Sequence, residues 1–330
     1  MTIRTQSPPA SGPDPSPASG PGIDHGAILA IAARVLPGSG RVDVSRPASG
    51  GSTPVYRLRR GGTTRYLRLA ETAGADLAPE ARVHDRLRAL GVSVPEVVDY
   101  DSCDSRLGRS VMVTTEIAGE PIGRRYAGVD AGAVLTAAGR DLAIIATIPV
   151  EGFGWVRRDR PVEAGIAAES PSLRAFAPGG VDDHLAALGP VLGATGCRAV
   201  REALDRHSTF FDGGQAVLAH GDLDTTHIYH RGGHYAGIID FGEIRGADRW
   251  YDLGHFALHD GEHLPSPATH HLLAGYHQVH CPAPDDGVRM RLWSILIGLR
   301  TLARIESRPH GRYHAFLTGA VRRAIDTLPA

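Results

Sequence analysis

The chain contains no lysine and no asparagine, so every basic side chain other than histidine is arginine. The missing lysine excludes a Schiff-base lysine, a P-loop lysine and the lysine most kinases use, and any task usually given to asparagine falls to another residue. Biased codon usage is the plain source of both absences. Cysteine is scarce as well. Cys103, Cys197 and Cys281 are odd in number and far apart, which argues against a disulfide framework or a cysteine-based zinc site and fits a reducing compartment. No stretch approaches the about 18 uninterrupted apolar residues of a membrane span. Residues 1–22 are rich in Pro, Ser, Ala and Gly and lack the apolar core of a secretory signal. They read as a disordered tail, and a cytoplasmic location is expected. Neither sign of charge dominates: the formal net charge of −1 gives no global attraction to nucleic acid or to an anionic membrane.

What is present supports a sizeable core. With 330 residues and 42% hydrophobic content, the chain can form one large domain or two lobes around a cleft, and no protein partner is needed for folding. Ala27 to Leu36 has helical spacing and stops at Pro37-Gly38. Residues 55–58 and 66–69 read as two strands joined at Gly61-Gly62, a β-hairpin. Glu80 to Leu90 reads as a helix stopped by Gly91. Residues 95–100 and 110–117 are again strand-like, so the chain to about 118 is expected to be mainly antiparallel sheet. Beyond Gly119-Glu120-Pro121 the pattern turns helical, first at Ala131 to Ile148. Arg157 to Gly180 reads as a surface excursion, and Val181 to His207 as helix broken at Gly189-Pro190. Short strand-like runs follow at 216–219, 227–230 and 235–239, and helices return from Tyr251 to Leu328. The fold class is α+β, divided at 23–118 and 119–330.

Chemistry concentrates in His220-Gly221-Asp222, His227 to His230 and Gly237 to Gly242. The turn signal Arg231-Gly232-Gly233 pairs the two strands as a hairpin, which brings His227 and Asp240 together at its open end and leaves Asp222 within reach on the entering loop. One divalent ion held by a carboxylate and a neighbouring ligand, with a second carboxylate nearby, is what in-line phosphoryl transfer requires.

These residues resemble the aminoglycoside phosphotransferase family of the protein-kinase-like superfamily, most strongly between His220 and Leu253. The resemblance implies a two-lobed kinase-like fold, magnesium, and ATP or GTP as phosphate donor. It implies Asp222 as catalytic base in contact with the acceptor, Asp240 as one magnesium ligand, and His227 as another at the family's Asn position, as in macrolide phosphotransferases. More weakly, over about 30 to 330, it places a nucleotide-covering loop at Gly50-Gly51-Ser52-Thr53. Arg68 stands for the phosphate-binding lysine, with Glu80 as its ion-pair partner, and Glu116 and Ile117 belong to the linker that holds the base. Asp252 would buttress the catalytic loop and His220 orient it.

Plainer readings compete for each. A lone Asp is usually a turn or a cap, an Arg on a strand usually snorkels, and a glycine pair is usually a turn. Histidines 255, 259, 263, 270, 271, 277 and 280 look like a metal cluster, but their spacing fits one polar face lining a cleft or solvent. The acceptor is expected to be a hydroxylated antibiotic of aminoglycoside, macrolide or nucleoside type, inactivated by phosphorylation, or an ordinary hydroxylated metabolite. A polycation would need carboxylates such as Glu243, Asp260 and Glu262. The rival functions are a metal-dependent hydrolase using His220, Asp222, His227 and Asp240 on one transition metal, and a nucleotide-binding module without turnover.

Overall fold

The structure, a computed structural model, describes residues 23–47, 53–123, 129–159 and 165–328. Helix α1 (His25–Val35) is capped by Asp24, whose carboxylate accepts the Ala27 N–H, and it ends just before Pro37. It lies against an antiparallel sheet of β1 (Asp43–Ser45), β2 (Val55–Arg60), β3 (Thr63–Leu69), β4 (Val97–Asp104) and β5 (Arg109–Thr115), in the order β1-β2-β3-β5-β4. Alternation decides which side chain faces where. Leu67 and Leu69 of β3 and Val111 and Val113 of β5 join Ile28 and Ile31 of α1 in one small core. Arg68, between the two leucines, is therefore delivered to the opposite face, together with Met112.

That opposite face is covered by α2 (Ala78–Ala89). Leu77 and Ala81 pack with Ala70 and Met112, whereas Val83 and Leu87, one turn further along, are buried in the large core of the remainder of the chain. Helix α2 thus packs on the sheet's second face with its first turn and into the large core with its later turns. Ser93 adds a polar tie: its carbonyl accepts the Ile238 N–H at 2.9 Å and its own N–H donates to Asp141 at 2.9 Å.

The rest comprises β6 (Glu120–Pro121), α3 (Ala131–Ile145), β7 (Phe153–Val156), β8 (Ala168–Ser170), α4 (Leu173–Phe176), α5 (Val181–Ala187) and α6 (Gly189–Arg206). These are followed by β9 (Val217–Ala219), β10 (Ile228–Arg231), β11 (His234–Ile238), β12 (Arg245–Ala247), α7 (Tyr251–His259), α8 (Thr269–Tyr276), α9 (Asp286–Ile305) and α10 (Arg312–Asp326). The small sheets run β11-β10-β6 and β8-β7-β12-β9. No helix among the described residues is long and apolar enough to cross a membrane.

Two segments differ from expectation. The described residues between 157 and 180 are not a mere surface excursion: β8 pairs with β7, and Leu173, Phe176 and Ala177 are buried, with the Phe176 ring 6.0 Å from that of Trp293. Interspersed Pro, Gly and Ser hid these few apolar anchors. Strand β12 was also not expected. Arg245 opens it with its guanidinium 3.9 Å above the Trp155 ring, so a charged residue sits in a buried strand because an aromatic face and Glu243 receive it.

Candidate active site

The hairpin β10–β11 pairs Ile228 with Ile238, and the Ile239 N–H donates to the His227 carbonyl at 3.1 Å. This register brings His227 Nε2 to 3.8 Å from Asp240 Oδ2. His227 Nδ1 lies 2.7 Å from the Asp222 carbonyl oxygen. A carbonyl only accepts, so Nδ1 carries a proton, and Nε2 is the ring nitrogen that faces Asp240. Asp240 has φ 65° and ψ 65°, and it is the sole non-glycine residue at positive φ among those described. Such a conformation persists only where surrounding contacts enforce it. Here it throws the carboxylate, half-exposed, into the cleft.

The loop before the hairpin is held by its backbone. Asp252, buried at the start of α7, accepts the N–H of His220 at 2.7 Å and that of Gly221 at 2.8 Å, each a charge-assisted bond of about 1.5–3 kcal/mol. His220 is fully buried; its Nε2 donates to the Ile239 carbonyl at 2.9 Å and its Nδ1 accepts the Asp222 N–H at 3.3 Å. Burial first, then the field of His227, pushes its pKa down and keeps it neutral, so it orients the loop. Gly221 has φ +92°, and a Cβ there would stand 1.8 Å from the Glu243 carbonyl oxygen, so no other residue fits. Asp222 emerges with its side chain about half-exposed and Oδ1 3.3 Å from His255 Nε2. Burial acts to raise its pKa, but the hydrogen bond from His255 and the fields of His255, His227 and His220 outweigh it and hold the carboxyl well below the usual range.

Across the cleft, Arg68 Nε is 3.2 Å from Glu80 Oε2, and its other nitrogens reach Asp240 Oδ1 at 3.3 Å and the Thr53 hydroxyl at 3.1 Å. Gly242 makes room for this: a Cβ there would meet the guanidinium at 2.2 Å. Glu80, 1% exposed, pairs through its other oxygen with Arg158, which also donates to the Gly242 carbonyl at 2.7 Å. Arg158 was missed from sequence because it lies in the segment read as a surface excursion. A buried carboxylate wants compensation, and its sequence neighbours do not say which arginine supplies the second half.

Of the remaining candidates, Ser52, with Gly50 and Gly51, lies outside the described residues. Glu116 is exposed in the segment after β5, where the Tyr66 hydroxyl donates to it at 3.4 Å. The Ile117 side chain lies against Gly237 of β11. Glu243 is paired with Arg245 at 2.8 Å, and burial raises its pKa despite that partner. Glu262 is also raised by burial, with His263 Nε2 3.6 Å away. Asp260 is not free for an acceptor: its carboxylate accepts the N–H groups of Ala268 and Thr269 and the Thr269 hydroxyl, at 2.5 to 2.9 Å, closing the loop between α7 and α8. The seven histidines do not form one face. His255 and His259 are buried beside the catalytic loop, His277 pairs with Asp286, and His280 faces the Ala143 carbonyl. Glu306, His310 and His314 do converge, but each imidazole faces one oxygen of Glu306, at 3.2 and 2.9 Å, and the three satisfy one another.

An antiparallel sheet whose strand residue Arg68 pairs with helix residue Glu80, set against a helical region that carries the His220–Asp222 loop and the β10–β11 hairpin, is the architecture of a protein-kinase-like phosphotransferase. The sequence profile of the phosphotransferase enzyme family matches residues 43–293, and the chain belongs to that family. Its reaction class is phosphoryl transfer to a hydroxyl group. Among solved structures, it is similar to a thermostable mutant of aminoglycoside phosphotransferase APH(4)-Ia in ternary complex with AMP-PNP and hygromycin B. That match has a TM-score of 0.64 and 18% identity over 87% of this chain and 95% of the other. A candidate fructosamine-3-kinase from Thermobifida fusca matches at TM-score 0.60 and 19% identity, over 90% and 99%. A candidate aminoglycoside phosphotransferase from Ralstonia eutropha matches at 0.61 and 14%, over 92% and 96%. At these identities the likeness speaks for the fold alone. No curated protein matches the sequence at a significant level.

Proposed function

We propose that the protein is a small-molecule kinase that transfers the γ-phosphate of ATP or GTP to a hydroxyl of an antibiotic, inactivating it. The observation that carries this reading is the convergence of Asp222, His227, Asp240 and Arg68 on one site, each held by buried neighbours. Asp222 accepts a hydrogen bond from the incoming hydroxyl and aims its oxygen for in-line attack. Arg68, braced by Glu80, forks onto phosphate oxygens where a lysine would otherwise stand. The exposed carboxylate of Asp240 fits magnesium that takes its other ligands from phosphates and water, while His227 Nε2 is a softer donor than magnesium prefers and would serve it best through a bound water. Magnesium, when bound, supplies charge neutralisation between the phosphates.

On the acceptor side, Asp224 feels the charge of Asp222, and Glu262 that of Asp224. This favours an acceptor that carries an amine beside its hydroxyl, and the resemblance in fold to a protein bound to hygromycin B points the same way. The candidate fructosamine-3-kinases among the similar structures support an amine-bearing sugar metabolite as the second reading. A panel of hydroxylated antibiotics and fructosamine-type sugars, incubated with ATP or GTP and read by a mass gain of one phosphate, separates the two. Phosphorylation undiminished in Asp222→Asn would refute the proposed chemistry.

A further inference from the structure

Helix α7 holds the catalytic loop twice. Asp252 in its first turn takes the backbone of His220 and Gly221, and His255, three residues on and so on the same helical face, reaches the Asp222 side chain. The imidazole is buried, with Nδ1 3.0 Å from the Leu223 carbonyl and Nε2 3.3 Å from Asp222 Oδ1. Both partners are acceptors only, so both nitrogens must donate, and a ring that donates twice is an imidazolium. We propose that His255 is a positioning residue for phosphoryl transfer: a buried cation that fixes Asp222 Oδ1 and leaves Oδ2 to meet the acceptor hydroxyl. The inference rests on the reading of Asp222 as the base.

The surroundings agree. Facing His255 are Asp222 and Asp224 from the loop, Glu262 beyond the helix, and His259 on its own helix with ring centroids 4.6 Å apart. Burial opposes charge on His255, but the hydrogen bond and field of Asp222 and the field of Asp224 prevail, and its pKa is raised. Burial and the field of His255 push His259 down to about 4, so that the second ring stays neutral and accepts no competing charge. A cation against Asp222 weakens it as a proton acceptor while fixing its direction. That exchange suits phosphoryl transfer, whose loose transition state asks more for alignment of the nucleophile than for early proton removal.

The test uses the full chain with magnesium-ATP, water serving as acceptor when none is identified. His255→Ala is expected to lower kcat by about 10- to 100-fold with the KM for magnesium-ATP within about twofold, and His255→Gln, which keeps one donor, to recover part of the loss. In parallel, nitrogen-15 NMR of the imidazole is expected to report two protonated nitrogens at pH 7 in the wild type and one in Asp222→Asn. Where His255→Ala fails to fold, the Gln variant and the NMR spectrum decide. Where water turns over too slowly to measure, the NMR spectrum decides by itself. A wild-type imidazole with a single proton, or a His255→Ala enzyme with unchanged kcat, overturns the inference. If Asp222→Asn slows turnover and His255→Ala does not, only His255 is misassigned; if neither slows it, the reading of Asp222 has failed too.

Discussion

The two walls of the cleft are built from different cations. On the nucleotide wall, Arg68 and Arg158 flank buried Glu80 and bind Asp240 and the Gly242 carbonyl. On the catalytic wall, His220, His227 and His255 surround Asp222. Guanidinium groups keep their charge at any pH the protein meets, whereas each imidazole is charged or neutral according to what its two nitrogens face. The first wall is therefore a lattice of fixed cations around Glu80, whose own carboxyl burial pushes up against the pull of both arginines. The second is set by burial and hydrogen bonding, which push His220 toward the neutral form and His255 toward the charged one.

The largest effect should come from breaking the fixed lattice. Glu80→Ala leaves two guanidinium groups without their shared buried carboxylate and should cost about 3–5 kcal/mol of stability, read as a lowered denaturant midpoint. A loss under about 1 kcal/mol would mean that the lattice does not hold the wall together. Next is the catalytic wall: Asp222→Asn should reduce phosphate transfer by about 10²-fold or more while calorimetric binding of magnesium-ATP persists. Loss of that binding in Asp222→Asn, with binding intact in Asp240→Asn, would reverse the two roles.

The acid response runs through both walls, since His84 lies on α2 with Glu80 and His255 lies beside Asp222. His84, whose Nδ1 is 2.8 Å from the Pro95 carbonyl and whose ring meets Phe241, is pushed down to about 4, chiefly by burial. A base with a depressed folded pKa contributes stability above its unfolded value near 6.5, and loses it as pH falls toward 4. By pH 5 the loss from this residue should be about 2 kcal/mol. His84→Gln should flatten that part of the urea-stability profile, and an unchanged slope would count against a neutral buried ring. His255 has the opposite sign: its pKa is raised, so its contribution is present below about 6.5 and fades as pH climbs through the raised value. The smallest effect should be Asp240→Asn, with magnesium-dependent nucleotide binding weakened about tenfold and partly restored by added magnesium. Restoration should fail if Asp240 serves only as an anchor for Arg68.

Much of this wall structure was legible because it is local. The turn at Arg231-Gly232-Gly233 fixes the register that brings His227 to Asp240. Alternation in Thr63–Leu69 sends Arg68 to the cleft because Leu67 and Leu69 must go the other way. Glu80, as the acidic residue in the first turn of α2, was within reach as its partner. Arg158 and His255 were not legible in the same way. One sits among Pro- and Gly-rich residues, the other among six further histidines whose spacing carries no distinguishing mark.

The sequence by itself determined the hairpin, the loop motif His220-Gly221-Asp222 and the absence of lysine, since these depend on neighbours within a few residues and on composition. Only the tertiary structure decided that Arg158 completes the Glu80 pair from 78 positions away, that Asp260 closes a loop, and that one histidine of seven meets Asp222. Pairing of buried charges depends on distance in space and on the water excluded around them, and neither is written in the order of residues along the chain.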